Sequence, residues 1–128
     1  MRPNILFADD DFDLRELVQF QLQAAGFRMS TADNAEDVLR LVTTDRFDVL
    51  ILDYWMREVT GIELCHQIRK FDQSTPILIC SGAVTEADKE AATLAGAQGY
   101  LQKPFSSREL IRAVRLSLEV SVDVAAQE

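Results

Sequence analysis

Four short apolar runs in this chain of 128 residues each lead into a residue whose side chain can bind a cation or an anion. Ile5–Ala8 runs into Asp9-Asp10, Val49–Leu52 into Asp53, and Ile77–Cys80 into Ser81. Gly99-Tyr100-Leu101 reaches Lys103-Pro104 one residue later. The stretches between them have helical spacing. Such alternation predicts a parallel sheet with helical crossovers. In these sheets the carboxyl ends of the strands share one edge, and ligands bind there, where the strand order reverses. Residues spread over the whole sequence are therefore expected to meet in one place. That place would hold the carboxylates of Asp9, Asp10 and Asp53, the Ser81 hydroxyl and the Lys103 ammonium. Clustered carboxylates suit a hard cation such as Mg²⁺. An ammonium with a hydroxyl suits phosphoryl oxygens.

The expected order is five strands and five helices in a doubly wound (βα)5 flavodoxin-like α/β fold, strand order 2-1-3-4-5, with two helices on one face and three on the other. After the strand at 4–8, a helix runs from about Phe12 to Ala25, with Leu14, Leu17, Val18 and Leu22 as its buried stripe and Gly26 as its stop. Phe27–Thr31 is the second strand. Asn34 caps a helix that turns Ala35, Val38, Leu39 and Val42 inward, and Asp37 makes an imperfect capping box with it. Phe47–Leu52 is continuously apolar enough to be a central strand covered on both faces. Tyr54–Thr60 reads as a loop. Gly61 to about Phe71 is a helix with Ile62, Leu64, Cys65 and Ile68 apolar, and Ser74-Thr75-Pro76 is a turn before the strand Ile77–Cys80. The next helix, about Thr85–Leu94, is Ala-rich and charged, so it is expected to be loosely held. Gly96 and Gly99 bracket the way into the fifth strand, Gly99–Leu101. The last helix takes Ser106-Ser107 as its caps, buries Leu110, Ile111, Val114 and Leu118, and exposes Arg108, Arg112 and Arg115, a face that is either solvated or a contact. Residues 3–120 read as one domain, and 121–128 as a tail or the start of a linker.

The composition narrows the function classes. Hydrophobic residues make up 48%, enough for a core, and no apolar stretch approaches a bilayer span of about 18 residues. Met1-Arg2-Pro3-Asn4 leads directly into a strand, without the apolar region of a signal peptide. A cytoplasmic location is the expectation. The net charge of −8, from 13 basic and 21 acidic residues, argues against direct binding to nucleic acid or to an anionic membrane. Cys65 and Cys80 read as small buried hydrophobes, and His66, the single histidine, leaves no zinc-type spacing.

Asp53 is the candidate nucleophile, since a carboxylate can accept a phosphoryl group as an acyl phosphate. Its charge repels that group unless a cation intervenes. Asp9, Asp10, Asp53 and the backbone carbonyl of Trp55 are the expected Mg²⁺ ligands. Mg²⁺ is commonly held by one or two carboxylates plus waters. Lys103 would neutralise a further phosphoryl oxygen as a point charge, and Ser81 would donate its hydroxyl. Asp9, Asp10 and Asp11 can also be read as helix caps, but three consecutive acids exceed what one cap requires.

The acidic pair after strand one, Asp53 after strand three, Ser81 after strand four and Lys103-Pro104 after strand five resemble the CheY-like receiver domain of bacterial two-component response regulators. The resemblance covers about residues 3–120. It implies a switch phosphorylated on Asp53 by a histidine kinase or a histidine phosphotransfer protein, with an output partner or an effector domain that the sequence does not name. It also implies that Ser81 moves toward the phosphoryl group, that Tyr100 rotates into the vacated space, and that the surface of helix 4, strand 5 and helix 5 changes; the last helix is then the expected homodimer face. Met56 and Gly61 match the loop after the phosphoacceptor. Arg57 stands where the family usually has proline, so a looser loop is expected there. Trp55 and Ala83 occupy the positions that tune dephosphorylation. An indole that excludes water, beside an Ala83 unable to orient one, implies slow hydrolysis; Trp55 can equally be read as a partner-binding aromatic. Such a domain transfers a phosphoryl group to itself and is not expected to be an enzyme acting on an outside substrate.

Rival readings meet specific objections. Asp9, Asp11 and Asp13 alternate as in an EF-hand loop, but Leu14 and Phe20 stand where that loop needs Gly and Glu. A phosphatase using Asp9 and Asp11 would need more chain to enclose its substrate. An adaptor working without phosphorylation would be expected to lack one of the five site positions, and all are present.

Overall fold

The computed structural model describes residues 2–82 and 85–119. Twelve elements follow one another: β1 (Asn4–Ala8), α1 (Phe12–Ala24), β2 (Arg28–Ala32), α2 (Ala35–Thr44), β3 (Val49–Asp53), β4 (Trp55–Met56), β5 (Val59–Thr60), α3 (Gly61–Arg69), β6 (Ile77–Ser81), α4 (Glu86–Ala95), β7 (Gly99–Gln102) and α5 (Ser107–Glu119). Five strands form one parallel sheet in the order β2-β1-β3-β6-β7, which is the expected 2-1-3-4-5 winding of a flavodoxin-like α/β fold. The direction of winding reverses between β1 and β3, so the carboxyl ends of those strands open the crevice where such sheets bind ligands.

Every residue of β3 and β6 is buried, because helices cover both faces of these central strands. On one face Ile5, Phe7, Val49, Ile51, Leu78 and Cys80 meet α1 and α5 through Val18, Leu22, Leu110 and Val114. On the other face Leu6, Leu50, Leu52, Ile77 and Ile79 meet α2, α3 and α4 through Val38, Leu64, Cys65, Ile68 and Ala92. Each fully buried aliphatic side chain contributes about 1.5–3 kcal/mol. The expected division of two helices against three is therefore what forms.

Local chemistry sets the helix ends. Asp11 caps α1 by accepting the Leu14 N–H at 3.2 Å. Asn34 caps α2 through the Asp37 N–H at 2.8 Å. Thr85 and Asp88 form a full capping box at α4, and Ser106 and Glu109 exchange the same pair of bonds at α5. Gly26 follows α1 at φ 98°, a left-handed backbone that glycine adopts without a Cβ penalty.

Three expectations need correction. Leu17 is 51% exposed. The inward line on α1 runs through partly buried Leu14 and buried Val18 and Leu22, spaced four apart, and Leu17 is turned about 100° away from Val18. Tyr54–Thr60 is not wholly a loop: β4 and β5 pair antiparallel, Trp55 with Thr60 and Met56 with Val59. Arg57 opens the two-residue turn at φ 59°, which proline cannot adopt, so its replacement of proline serves the hairpin. The third helix stops at Arg69, before Phe71, where Asp72 gathers the following turn. Cys65 and Cys80 are free thiols, both buried as expected. No helix among the described residues is long and apolar enough to cross a membrane. Ala83 and the tail at 121–128 lie outside the described residues.

Candidate functional site

The strand ends deliver their residues to one edge. Asp9 follows β1 directly, is 1% exposed, and is fixed by its N–H donating to the Ala32 carbonyl at 3.0 Å. Its Oδ1 accepts the Asp11 N–H at 2.9 Å, while the Arg15 guanidinium donates to its carbonyl at 2.8 Å. Asp53 ends β3 and Ser81 ends β6, both buried. The main chain aligns them: the Tyr54 N–H donates to the Cys80 carbonyl, and the Lys103 N–H to the Ser81 carbonyl, each at 2.8 Å. Lys103 then reaches back across the edge. Its Nζ donates to Asp9 Oδ2 at 2.7 Å and to Asp53 Oδ1 at 3.1 Å.

Asp10 is exposed, but one carboxylate oxygen each from Asp9, Asp10 and Asp53 lie within 4.8 Å of one another. Three hard oxygen donors around one point can seat a divalent cation. Asp11, the third consecutive acid, is the helix cap instead. The electrostatics agree with a crowded anionic site. Burial and the Asp9 charge push the Asp53 carboxyl above the usual carboxylate range, against the pull of Lys103. Burial alone would weaken the Lys103 ammonium, but its hydrogen bonds to Asp9 and Asp53 prevail and hold the proton more tightly than usual. Burial likewise pushes the neighbouring Cys80 thiol up to about 12, leaving it inert.

Further residues shape the edge. A Cβ on Gly61 would collide with the Asp53 carbonyl, so only glycine lets α3 begin this close to the candidate phosphoacceptor. The sequence pattern marks Gly61 but not the collision that requires it. Arg57, in the hairpin turn, sits 3.9 Å from Asp33, a largely exposed pair. Trp55 is 56% exposed, so its indole stands on the surface of the hairpin. The Tyr100 hydroxyl is enclosed, without a hydrogen bond of good geometry among the described residues. Burial makes that phenol harder to ionise; Asp88 and Tyr54 add to the effect and the nearby Ser81 side chain opposes it. Tyr100 thus already points inward, beside the end of β6.

Residues 5–115 match the response regulator receiver domain. The chain belongs to that family. Over 126 residues this receiver is 34% identical to the alkaline phosphatase synthesis transcriptional regulatory protein PhoP of Bacillus subtilis, covering 98% of this chain and 52% of that protein. It is 35% identical to the response regulator MprA of Mycobacterium leprae over 114 residues, 89% of this chain and 50% of the other. The receiver spans about half the length of these curated relatives. Among solved structures it is similar to the chemotaxis response regulator CheY4 of Vibrio cholerae, with a TM-score of 0.85, 32% identity, and coverage of 92% of this chain and all of that one.

Proposed function

We propose that this receiver is a phosphorylation-dependent switch in a two-component pathway, taking its phosphoryl group onto Asp53 from a histidine kinase or a histidine phosphotransfer protein. The observation that carries this is Lys103 Nζ bridging Asp9 and Asp53 inside a cluster of three carboxylates. A buried aspartate whose neighbours include both a cation-binding set and a fixed ammonium suits phosphoryl acceptance. An Asp53 carboxylate oxygen attacks phosphorus, the phosphorus–nitrogen bond to the donor imidazole breaks, and the electron pair leaves with the imidazole. The donor set fits Mg²⁺, with Asp9, Asp10 and Asp53 as side-chain ligands and the Trp55 carbonyl as a backbone ligand. When bound, Mg²⁺ supplies the charge neutralisation that lets two anions meet. Lys103 follows the charge onto the phosphoryl oxygens, and Ser81 donates its hydroxyl to them. Withdrawal of Ser81 toward that group, with Tyr100 held inward, changes the surface of α4, β7 and α5. A homodimer would use that surface, as would an output partner.

Trp55 and Ala83 set how long the signal lasts, and the domain hydrolyses its own phosphoryl group slowly without acting on an outside substrate. We place the domain in the cytoplasm, with no direct contact to nucleic acid or membrane.

The test is intact mass after incubation with acetyl phosphate, with and without Mg²⁺, on the wild type and on Asp53→Asn. One phosphoryl group is expected on the wild type with Mg²⁺ and none on the variant. A group that survives Asp53→Asn would identify a different nucleophile, and an unmodified wild type would contradict autonomous acceptance.

A further inference from the structure

Helix α4 is held very differently at its two ends. From Glu86 to Glu90 only Asp88 is even half-buried, and its carboxylate is occupied by the helix's own capping box. Among the described residues no hydrogen bond or ion pair from Thr85–Glu90 leaves the helix: Thr85 bonds Asp88, and Lys89 pairs with Glu86. The other end is locked. Ala92 is buried against the α3 face, and the Cys65 thiol donates to the Ala95 carbonyl at 3.5 Å. The Arg69 guanidinium donates to the Gly96 carbonyl at 3.0 Å, to the Asp72 carbonyl at 3.0 Å and to Gln98 Oε1 at 2.8 Å. Gln98 in turn donates to the same Gly96 carbonyl at 2.9 Å and accepts the Ile77 N–H at 2.8 Å. Gly96 has φ 105°, and a Cβ there would meet the Arg69 side chain.

We infer that α4 is hinged at Gly96, that the Arg69–Gly96–Gln98 lock is its fulcrum, and that Arg69 is a positioning residue for the switch. The lock ties the carboxyl end of α4 to α3, whose Leu64, Cys65 and Ile68 are buried, and to the starts of β6, buried throughout, and β7. Among the described residues, the amino end has no comparable tie. Local opening follows the density of such contacts, so α4 moves as a lever whose travel grows toward Glu86. A planar fork serving three oxygens at fixed angles can hold such a point, and an ammonium cannot make the same set of bonds. The link from this hinge to signalling rests on the function proposed above; the hinge itself does not.

Amide hydrogen exchange on the full chain tests both parts. In the unphosphorylated protein, Thr93–Gly96 amides are expected to exchange at least tenfold more slowly than those of Lys89–Ala91. Arg69→Lys should bring the two groups within about threefold of each other while leaving Leu52 and Ile79 unchanged, and Gln98→Ala should do the same more weakly. A purely structural arginine would speed exchange in Leu52 and Ile79 as well, which would overturn the assignment. So would uniform protection along α4 in the wild type, or no response to Arg69→Lys. After treatment with acetyl phosphate and Mg²⁺, exchange in Lys89–Ala91 should shift severalfold and that in Thr93–Gly96 by less than twofold; equal shifts would overturn the lever. Absence of the phosphoryl mass would count against the proposed function, while the first two comparisons would still decide the hinge.

Discussion

The two ends of the sheet carry charge on opposite terms. At the carboxyl end Asp9, Asp10 and Asp53 bring like charges within 4.8 Å, and among the described residues Lys103 is the cation paired with them. At the amino end several charged groups are held by hydrogen bonds. Asp48 accepts the Asn4 N–H at 2.8 Å, and Arg69 finds three oxygens. Asp72 accepts from the Ser74 and Thr75 N–H groups at 3.0 and 3.1 Å and from the Thr75 hydroxyl at 2.6 Å. One edge stores unfavourable electrostatics where chemistry is expected; the other satisfies its groups and holds the strand starts together. Structures commonly break local rules at functional sites and compensate elsewhere.

Lys103→Met should have the largest effect. Removing one partner of a buried pair costs about 3–5 kcal/mol; Lys103 is partly solvated, so about 2 kcal/mol is expected here. Urea denaturation without divalent cations measures it. Added Mg²⁺ should recover part of the loss, since the carboxylates it would bind remain. A variant as stable as the wild type without cation would mean that the carboxyl end is not strained by its charges.

At the amino end, Asp72→Ala should cost about 1 kcal/mol, because its carboxylate loses hydrogen bonds from Ser74 and Thr75, but to groups that water can reach. Burial alone would raise the Asp72 carboxyl, but its bonds to Thr75 and Ser74, with Arg69 nearby, outweigh that and hold it below the usual carboxylate range. A carboxylate with a depressed folded value contributes stability above its unfolded value and loses it as pH falls through the folded one. The stability gap between wild type and Asp72→Ala should therefore be full at neutral pH and close in acid. A gap that widens in acid would reverse the assignment.

Asp53→Asn sharpens the contrast through its sign. Without divalent cations it should raise stability by up to about 1 kcal/mol, since it removes a repulsion that Lys103 only partly offsets. Asp53 is buried at the end of β3 and Asp72 half-buried in the turn before β6, yet neutralising the first should help and truncating the second should harm. A destabilised Asp53→Asn would place the ion pair to Lys103 above the repulsion from Asp9.

How far the sequence foretold this contrast depends on what each part rests on. Asp9, Asp53, Ser81 and Lys103 were legible because a parallel winding puts every strand end on one edge, and both the strand periodicity and the helical crossovers are written in short windows of residues. The thin core contribution of α4 was legible in the same way, as its alanines cannot bury much. Leu17 misled because Leu14, Leu17 and Leu22 all satisfy a loose helical period, while the sheet accepts only the line through Val18. The β4–β5 hairpin and the Arg69 lock were not legible, since each depends on a backbone angle or on partners 27–29 residues away that no local pattern records.

The smallest effect belongs to Trp55, an exposed residue of the carboxyl end that the proposed function uses. Its indole is 56% exposed, so it adds little to stability and can act only on water near Asp53. A ring beside an acyl phosphate narrows the approach of water, whereas an asparagine can hydrogen-bond a water and aim it. Trp55→Asn should shorten the life of phosphorylated Asp53 by a few-fold, a barrier change below about 1 kcal/mol, with acceptance from acetyl phosphate unaltered. Loss of the phosphoryl mass over time after donor removal gives both lifetimes. If the variant's phosphate outlives that of the wild type, the indole is no water gate, and its exposure on the hairpin then marks it as a surface for a protein partner.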